Sequence, residues 1–334
     1  MTASSGAGAR LLQAVQTGLV TWPEAARVAV FAPRAGMDLS ALPKEMCHLL
    51  TRLRPDRDFF AGQGWDCARA PEGHYGAAVV FATRAKPLTQ ALIAEAARIT
   101  DGMIVVDGTK TDGIESLLKA CRARVAVSAP VSKAHGKLFT VVAAPEFDAW
   151  APGAPQEVTD GFVTAPGVFS ADGIDPASHL LAEALPETLG AEVVDLGAGW
   201  GYLAARVLER DGVEVIHLVE ADDAALDCAR RNVFDARARF HWQDATRWQP
   251  PAPVDCVVMN PPFHSGRAGD PGLGQAFIRA AAKMLKPRGQ LFMVANRHLP
   301  YEAELAACFG QVDELGGDNR FKIFHATRPS RPRR

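Results

Sequence analysis

The chain has 334 residues, enough for two domains of ordinary size that each bury a core. Hydrophobic residues make up 48% of it and charged residues 22%, which excludes a largely disordered chain. The formal net charge of −2 excludes a uniformly basic protein. Any nucleic-acid contact must therefore use local basic patches. One such patch is the closing run of Arg328, Arg331, Arg333 and Arg334, which is equally well explained as a solvated chain end.

The six cysteines are scattered and form no CxxC pair. This spacing predicts reduced thiols, with neither a metal site nor a disulfide framework. The N-terminus has no basic-then-apolar signal segment, and no apolar run approaches the length of a membrane span. We therefore expect a cytoplasmic protein without membrane association.

Residues 1–150 alternate short apolar runs with segments of helical periodicity. Strands are predicted at 27–32, 77–82, 102–107 and 138–143, and helices at 88–99 and 114–121. Strands that alternate with helices predict a parallel α/β sheet. The segment 145–166 is rich in proline and indicates a domain junction, which we place as a linker at residues 151–160.

Residues 161–334 repeat this alternation more clearly. Strands are predicted at 192–196, 214–220, 238–242, 255–260 and 290–295, helices at 179–189, 202–210, 222–232 and 275–285, a turn at 286–289, and a closing antiparallel hairpin of 311–315 with 320–325. This order predicts a doubly wound, mostly parallel, seven-stranded sheet with a reversed strand. The two halves therefore look like tandem copies of one architecture.

A glycine-rich loop follows the strand at 192–196. Read from Asp195, the motif is D-x-G-x-G-x-G, with Gly197, Gly199 and Gly201. Glycines let a ligand lie against the backbone, but this signal alone also fits a dinucleotide site or a tight turn.

Two acidic residues help to choose between these ligands. Glu220 ends the next strand, where a carboxylate can accept hydrogen bonds from ribose hydroxyls, and Asp244 follows the third strand, where it can contact an adenine amine or cap a helix. Asp195 beside the loop favours a cationic methionine moiety over a diphosphate. The pattern predicts a binding site for S-adenosylmethionine, with a nicotinamide cofactor as the alternative.

The fourth strand runs into Asn260, Pro261, Pro262 and Phe263. The end of a central strand is where α/β sheets place their chemistry. The Asn260 side-chain oxygen and the Pro261 carbonyl can accept both hydrogens of an exocyclic amine, and Phe263 can stack on the attached ring. Methyl transfer from a sulfonium depends mainly on positioning, so no strong base is required. His264 could accept a proton, or it could support the loop or contact phosphate.

Together with three further segments, this tetrad resembles the bacterial small-subunit ribosomal RNA guanine-N2 methyltransferases, the RsmC-like group of class I S-adenosylmethionine-dependent enzymes. The three segments are Pro166-Gly167-Val168-Phe169-Ser170 with Asp172-Gly173, Val294-Ala295-Asn296 with Leu299-Pro300-Tyr301, and Asn319-Arg320-Phe321-Lys322-Ile323. The matches cover residues 160–326 in family order.

The resemblance implies two tandem Rossmann-like methyltransferase domains, the first degenerate and used for substrate recognition or stability. It assigns donor binding to Asp195, Gly197, Gly199, Gly201, Glu220, Asp244 and Asn260, and the target-base site to Asn260, Pro261, Pro262 and Phe263. It implies methylation of a guanine N2 amine in ribosomal RNA, with 16S rRNA of the small subunit as the leading expectation. A tandem chain of this kind is expected to act as a monomer.

Some points stay open at this level. Large-subunit 23S rRNA, a protein glutamine N5 amide, and a non-catalytic donor-binding assembly factor are the alternatives. In the first domain, Arg84 and Lys86 stand where the tetrad would be, and they either contact RNA phosphate or belong to a solvated loop. Phe169 either covers the ligands or packs in the core. Trp200, a bulky residue inside the glycine loop, faces outward or narrows the donor pocket.

Overall fold

The structure is a computed structural model that describes residues 3–153, 155–262 and 271–330. It divides into two compact units, Met1–Pro155 and Gln156–Arg334. The point of division lies inside the segment 151–160 that the sequence indicates as a linker.

The first unit contains one seven-stranded sheet with helices on both faces. Its elements are α1 (Ala3–Gln16), β1 (Val28–Phe31), β2 (Cys47–Leu50), α2 (Arg54–Ala61), β3 (Asp66–Ala68), β4 (Tyr75–Phe81), α3 (Lys86–Ile99), β5 (Thr100–Thr109), α4 (Ile114–Arg122), β6 (Val131–Lys133) and β7 (Gly136–Val142). The strand order is β3-β2-β1-β4-β5-β7-β6, and β7 runs antiparallel to β5 and β6. This confirms the predicted doubly wound fold and adds α1, α2 and three short strands that the sequence pattern did not reveal.

The start of the proline-rich segment belongs to the core of the first unit and precedes the linker predicted at 151–160. Pro145–Trp150 forms a 3-10 helix. Phe147 is fully buried and Trp150 is 8% exposed. Burying two aromatic rings outweighs the weak helical tendency of this short segment.

The second unit repeats the architecture. Its elements are the short strands β8 (Gln156–Glu157) and β9 (Val163–Thr164), then α5 (Pro176–Ala184), β10 (Glu192–Leu196), α6 (Tyr202–Leu208), β11 (Val215–Glu220), α7 (Asp223–Asn232), β12 (Ala238–Trp242), β13 (Val254–Met259), α8 (Pro271–Met284), β14 (Leu285–Asn296), α9 (Glu302–Cys308), β15 (Phe309–Gly317) and β16 (Phe321–Pro329). The main sheet has the order β12-β11-β10-β13-β14-β16-β15, with β16 antiparallel to both neighbours. The predicted seven-stranded sheet and closing hairpin are confirmed.

Two predictions about this unit are wrong. The helix predicted at 179–189 is α5, which begins at Pro176 and ends at Ala184, because Leu185 is extended and Pro186 cannot continue a helix. The turn predicted at 286–289 lies inside β14. There the pairing with β13 shifts, since Val254 faces Leu285 while Cys256 faces Gln290. Pro287 lacks the N–H that a regular ladder needs.

The strand order determines where ligands can bind. From β10 the chain moves outward to β11 and β12, and then returns across β10 to β13 on its other side. The strand order therefore reverses between β10 and β13, and the carboxyl ends of these two strands are where a ligand crevice is expected. Within the part of the chain that the structure describes, no helix has the length and apolar character needed to traverse a bilayer.

Candidate functional site

The glycine loop leaves β10 through a sharp backbone turn. The N–H groups of Gly197 and Ala198 both donate to the Val219 carbonyl, at 2.9 and 3.1 Å. Gly201 has φ = +92°, and a Cβ there would lie 3.0 Å from Val233 and 3.2 Å from Ala229. Any other residue at position 201 would be strained in its backbone and crowded by α7. The loop is thus held close to the sheet.

Asp195, at the base of this loop, is a fully buried carboxylate. Neither of its oxygens has a hydrogen-bond partner among the described residues. Burial, with a smaller contribution from the Glu220 carboxylate, raises the pKa of Asp195 to about 8, and the nearby Ala204 backbone N–H opposes the rise. A buried, unpaired carboxyl group is costly unless a ligand meets it. It suits a cationic ligand, which would lower its pKa and compensate its charge.

Glu220 and Asp244 lie at the carboxyl ends of two neighbouring strands. Glu220 is the last residue of β11, and Asp244 follows β12 by two residues. Glu220 accepts the Gly199 N–H at 2.8 Å and the Asp222 N–H at 2.7 Å, so it ties the glycine loop to the end of β11. Burial raises the pKa of Glu220. Asp244 follows β12 and caps a turn, because its Oδ1 accepts the Thr246 N–H at 2.9 Å and the Thr246 hydroxyl at 2.6 Å. Asp244 therefore caps a turn and not the helix that the alternative interpretation expected.

A small pocket, open to solvent, lies beside the glycine loop. It is lined by Phe169, Ser170, Asp175, Ser178, Gly197, Ala198, Gly199, Trp200, Tyr202, Leu203 and Asn260. Residues of the glycine loop thus line the same pocket as Asn260. Its lining does not include four other predicted site residues, Asp195, Gly201, Glu220 and Asp244.

Trp200 joins two walls of this cavity. It is 4% exposed, packs against Phe162 and Tyr202, and donates its indole N–H to the Phe169 carbonyl at 3.0 Å. Phe169 itself is 52% exposed and lines the cavity, which excludes the core-packing alternative. Of the two alternatives for Trp200, the pocket-lining one is correct, and the residue also fastens the Phe169 segment over the glycine loop.

Asn260 directly follows β13, at the same sheet edge. Its Nδ2 donates to Asp175 Oδ2 and to Ser178 Oγ, both at 2.9 Å. Pro261 is buried and Pro262 is exposed. Phe263 and His264 lie outside the described residues.

Sequence reasoning missed Asp175 and Ser178. One available signal was the D-P-x-S pattern of a capped helix start, in which Asp175 accepts the Ser178 N–H at 2.9 Å. That signal predicts the start of a helix, but not the contact with Asn260.

The corresponding loop of the first unit, after β1, is held by hydrogen bonds to side chains. Arg34 donates to Asp112 through both terminal nitrogens, at 3.0 and 3.3 Å, and to the Ala82 carbonyl at 3.2 Å. The Ala35 N–H donates to Asp56 at 2.8 Å. These contacts lie after β1, where the second unit has its glycine loop, so the loop of the first unit is built from side-chain pairs instead of a glycine turn.

The second unit fits the group that its loop predicts. A buried carboxyl group without a partner among the described residues, an acid at the end of β11, a backbone turn that only glycine tolerates and an adjoining cavity together match a cationic amino acid joined to a nucleoside. This sheet order with one reversed strand, and this site, define an S-adenosylmethionine-dependent methyltransferase.

Comparisons with known proteins agree with this class. The family "Methyltransferase small domain" matches residues 160–325. The ribosomal RNA small subunit methyltransferase C of Shewanella oneidensis is 31% identical over 267 residues, covering 76% of this chain and 78% of that protein. The protein of the same name from Hahella chejuensis is 36% identical over 167 residues, covering 49% of this chain and 48% of that protein.

A solved structure is similar over nearly the whole chain. The T. thermophilus 16S rRNA N2 G1207 methyltransferase (RsmC), in complex with AdoMet and guanosine, superposes with a TM-score of 0.77 at 27% identity, covering 97% of this chain and 93% of that one. The chain belongs to the ribosomal RNA small subunit methyltransferase C family.

Proposed function

We propose that this chain transfers a methyl group from S-adenosylmethionine to the N2 amine of a guanine in 16S rRNA, with Asn260 and Pro261 holding that amine. The observation that carries the proposal is the position of Asn260, whose amide lines the same cavity as Gly197 and Gly199. Donor and acceptor groups at one cavity are what direct transfer requires. The relative crystallised with AdoMet and guanosine supports both ligand classes.

The donor is held by the residues at the carboxyl ends of three adjacent strands. Asp195 faces the methionine part, Gly197, Gly199 and Gly201 let the backbone approach it, Glu220 accepts the ribose hydroxyls, and Asp244 faces the adenine. The buried Asp195, without a partner among the described residues, supports this arrangement, since a cationic ligand offsets the cost of burying it.

The acceptor side works by positioning. When bound, S-adenosylmethionine supplies an electrophilic methyl carbon, which the N2 lone pair takes as the carbon–sulfur bond breaks and the amine releases a proton to solvent. The Asn260 oxygen and the Pro261 carbonyl each accept one N2 hydrogen and thereby aim the lone pair. Pro262 stiffens the loop, and Phe263 stacks on the base.

The decisive experiment is to incubate the purified chain and methyl-labelled donor with small subunits, large subunits, free rRNA and cell protein. We expect label in 16S rRNA, removed by nuclease and recovered as N2-methylguanosine. Label in 23S rRNA or in a protein glutamine would favour an alternative substrate. No label in any fraction would favour a non-catalytic assembly factor.

A point variant tests the acceptor residues. Asn260→Ala should lower kcat by roughly 100-fold while leaving the donor Kd within about twofold, because it removes the oxygen that holds the acceptor amine and leaves the glycine loop unchanged. Gln311→Ala, an exposed amide on β15, is the matched control and should behave as wild type. Full activity of Asn260→Ala would contradict the proposed acceptor site.

The same proposal assigns ribosomal RNA contact to the first unit. Basic residues follow four parallel strands of its sheet, all at the carboxyl edge: Arg34 after β1, Arg52, Arg54 and Arg57 after β2, Arg84 and Lys86 after β4, and Lys110 after β5. Arg84, Lys86 and Lys110 are exposed. Asp58 and Asp112 offset part of this charge through ion pairs, so the three exposed cations are the ones that suit RNA phosphates. A monomer in the cytoplasm, where ribosomal RNA resides, is part of this proposal.

Salt dependence tests the basic edge. Changing Arg84, Lys86 and Lys110 to Gln should weaken rRNA binding and reduce the salt slope by up to about 2. The control triple variant changes Arg98, Lys119 and Arg122, which are exposed residues in the last turns of α3 and α4 at the opposite edge. Equal effects of the two triple variants would contradict a specific role for the carboxyl edge.

A further inference from the structure

Asn260 is held by two residues that are far from it in sequence. Both hydrogens of its amide are engaged, one by the Asp175 carboxylate and one by the Ser178 hydroxyl, each at 2.9 Å. The contacts span 85 and 82 positions of the chain. They join the start of α5 to the end of β13.

The chemistry of Asp175 dictates which end of the amide points where. An ionised carboxylate only accepts hydrogen bonds, so the group facing it must be the NH2 of Asn260 and cannot be its oxygen. The same Asp175 oxygen also accepts the Ser178 N–H at 2.9 Å. Because both hydrogens of the NH2 point at α5, the amide oxygen faces away from that helix.

The orientation of the side-chain amide decides whether Asn260 can accept a hydrogen bond from an amine. With the oxygen toward the acceptor, Asn260 accepts a hydrogen of the incoming NH2 and leaves its lone pair free. Rotated by 180°, it would present its own NH2 to another NH2, and neither group could accept. Charge-assisted bonds are about twice as strong as neutral ones, so the Asp175 contact holds the amide firmly.

The support is itself rigid. Asp175 caps α5 and Pro176 occupies the first turn, which fixes where this helix begins. Ser178 is only 8% exposed, so water competes little for its hydroxyl. Asp175 and Ser178, which accept the hydrogen bonds of Asn260, therefore belong to a rigid helix start and keep one geometry.

We infer that Asp175 and Ser178 are positioning residues that orient the Asn260 amide so that its oxygen, and not its nitrogen, meets the acceptor amine. This inference rests on the proposed function, since it concerns the same transfer step. Neither residue needs to touch the reacting atoms.

Single variants separate positioning from donor binding, which matters because both residues also line the cavity. Ser178→Ala and Asp175→Ala should each lower kcat at saturating donor and RNA by roughly tenfold, and the double variant by more, with the donor Kd within about twofold. Asp175→Asn should restore most of kcat. Its side-chain oxygen can still cap α5 and accept the Asn260 NH2.

A matched control exists in the first unit. Ser116, like Ser178, is the third residue of its helix, and its hydroxyl makes one hydrogen bond there, to the Gly113 carbonyl at 3.1 Å. Ser116→Ala should leave kcat unchanged. Donor titration and the thermal midpoint of each variant verify that it is folded, so a loss of kcat cannot be attributed to an unfolded chain.

Two outcomes would overturn the inference. If the variants weaken donor binding while kcat at saturation is unchanged, Asp175 and Ser178 are donor ligands. If they retain full kcat while Asn260→Ala loses it, the amide needs no outside orientation, and the proposed function stands without this inference. If Asn260→Ala also retains full kcat, the proposed acceptor site itself has failed.

Discussion

Among single residues, Asp195 shows a conflict between stability and ligand binding. The carboxyl group is fully buried without a partner among the described residues, and its pKa is raised to about 8 by burial. In the unfolded chain it would ionise near its ordinary value of about 4. The folded state therefore retains a proton that the unfolded chain has lost, so the stability of the donor-free protein falls as the pH rises from about 4 to 8.

We predict that Asp195→Asn stabilises the donor-free protein at pH 7 by about 1–3 kcal/mol and weakens donor binding at least tenfold. Urea unfolding at pH 5 and pH 8 measures the first effect, and it should show a flatter pH dependence for the variant. Calorimetry measures the second. Asp101→Asn, a side chain that is 97% exposed, is the control. Unchanged donor affinity would remove Asp195 from the donor site.

Among the helices and strands, α1 joins the first sheet through packed apolar side chains and through a buried ion pair. Arg10 donates to both carboxylate oxygens of Asp107 on β5, at 2.5 and 2.8 Å, and both residues are 1% exposed. Arg10 also donates to the Lys133 carbonyl at 3.0 Å, on β6. The pair decides where the helix sits, since a buried charge with its partner removed is strongly unfavourable.

We predict that Asp107→Ala destabilises the first unit by about 3–5 kcal/mol, and that the double change Arg10→Met with Asp107→Leu costs clearly less. Hydrogen exchange in peptides from α1 and β5 measures this. Arg27→Ala removes the exposed pair with Asp66 and should cost less than about 1 kcal/mol. A single variant no worse than the double one would refute the argument.

A pair of histidines joins the neighbouring strands β11 and β12. His217 Nδ1 and His241 Nε2 lie 2.9 Å apart, and both rings pack on Trp248. Burial, with a contribution from the charge of His217, lowers the pKa of His241 to about 4. Burial likewise lowers the pKa of His217, opposed by Glu192 and assisted by Arg239. Only one proton fits between the two facing nitrogens.

Because His241 ionises near pH 6.5 when unfolded, its contribution to stability is complete above that pH and is lost as the pH falls toward 4. We predict a loss of about 1–2 kcal/mol between pH 6.5 and 4.5 after allowance for partial exposure. His241→Gln should reduce this loss, and His74→Gln, on an exposed ring, should not. Urea unfolding as a function of pH tests it, and parallel curves for all three proteins would rule it out.

Across the whole molecule, two sheets with the same strand order carry loops of different sequence and structure at their carboxyl ends. The loop after β10 turns on glycines beside a pocket, whereas the loop after β1 carries Arg34, which pairs with Asp112. Shared topology therefore does not imply a shared ligand.

We predict that calorimetry finds one donor bound per chain. Gly201→Val should abolish that binding because of the positive φ and the contacts that a side chain would make with Val233 and Ala229. Gly36→Val is the control, since Gly36 also has a positive φ but a Cβ at that position would have no neighbour within 4 Å. A stoichiometry of two, or residual tight binding in Gly201→Val, would place a donor in the first unit.

Local signals in the sequence were sufficient for some of the elements. β10 and β12 begin and end where predicted. β10 is a short, mostly apolar run that ends at a glycine loop, and β12 alternates apolar with polar residues. The glycine loop and the Asn260 tetrad could be recognised because their chemistry depends on neighbouring residues in the chain. β2, β3 and α1 were missed because their weak propensities are overridden by pairing and burial in the folded unit.

The assembly of the site, in contrast, is established only by folding. The Asp175 and Ser178 contacts with Asn260 cross more than 80 positions, and the Trp200 contact with Phe169 crosses 31. No local pattern encodes such contacts, because they depend on where the sheet brings α5, the glycine loop and the end of β13. The chemistry open to a residue can be inferred from its type and neighbours, but its orientation depends on partners that only the folded chain supplies.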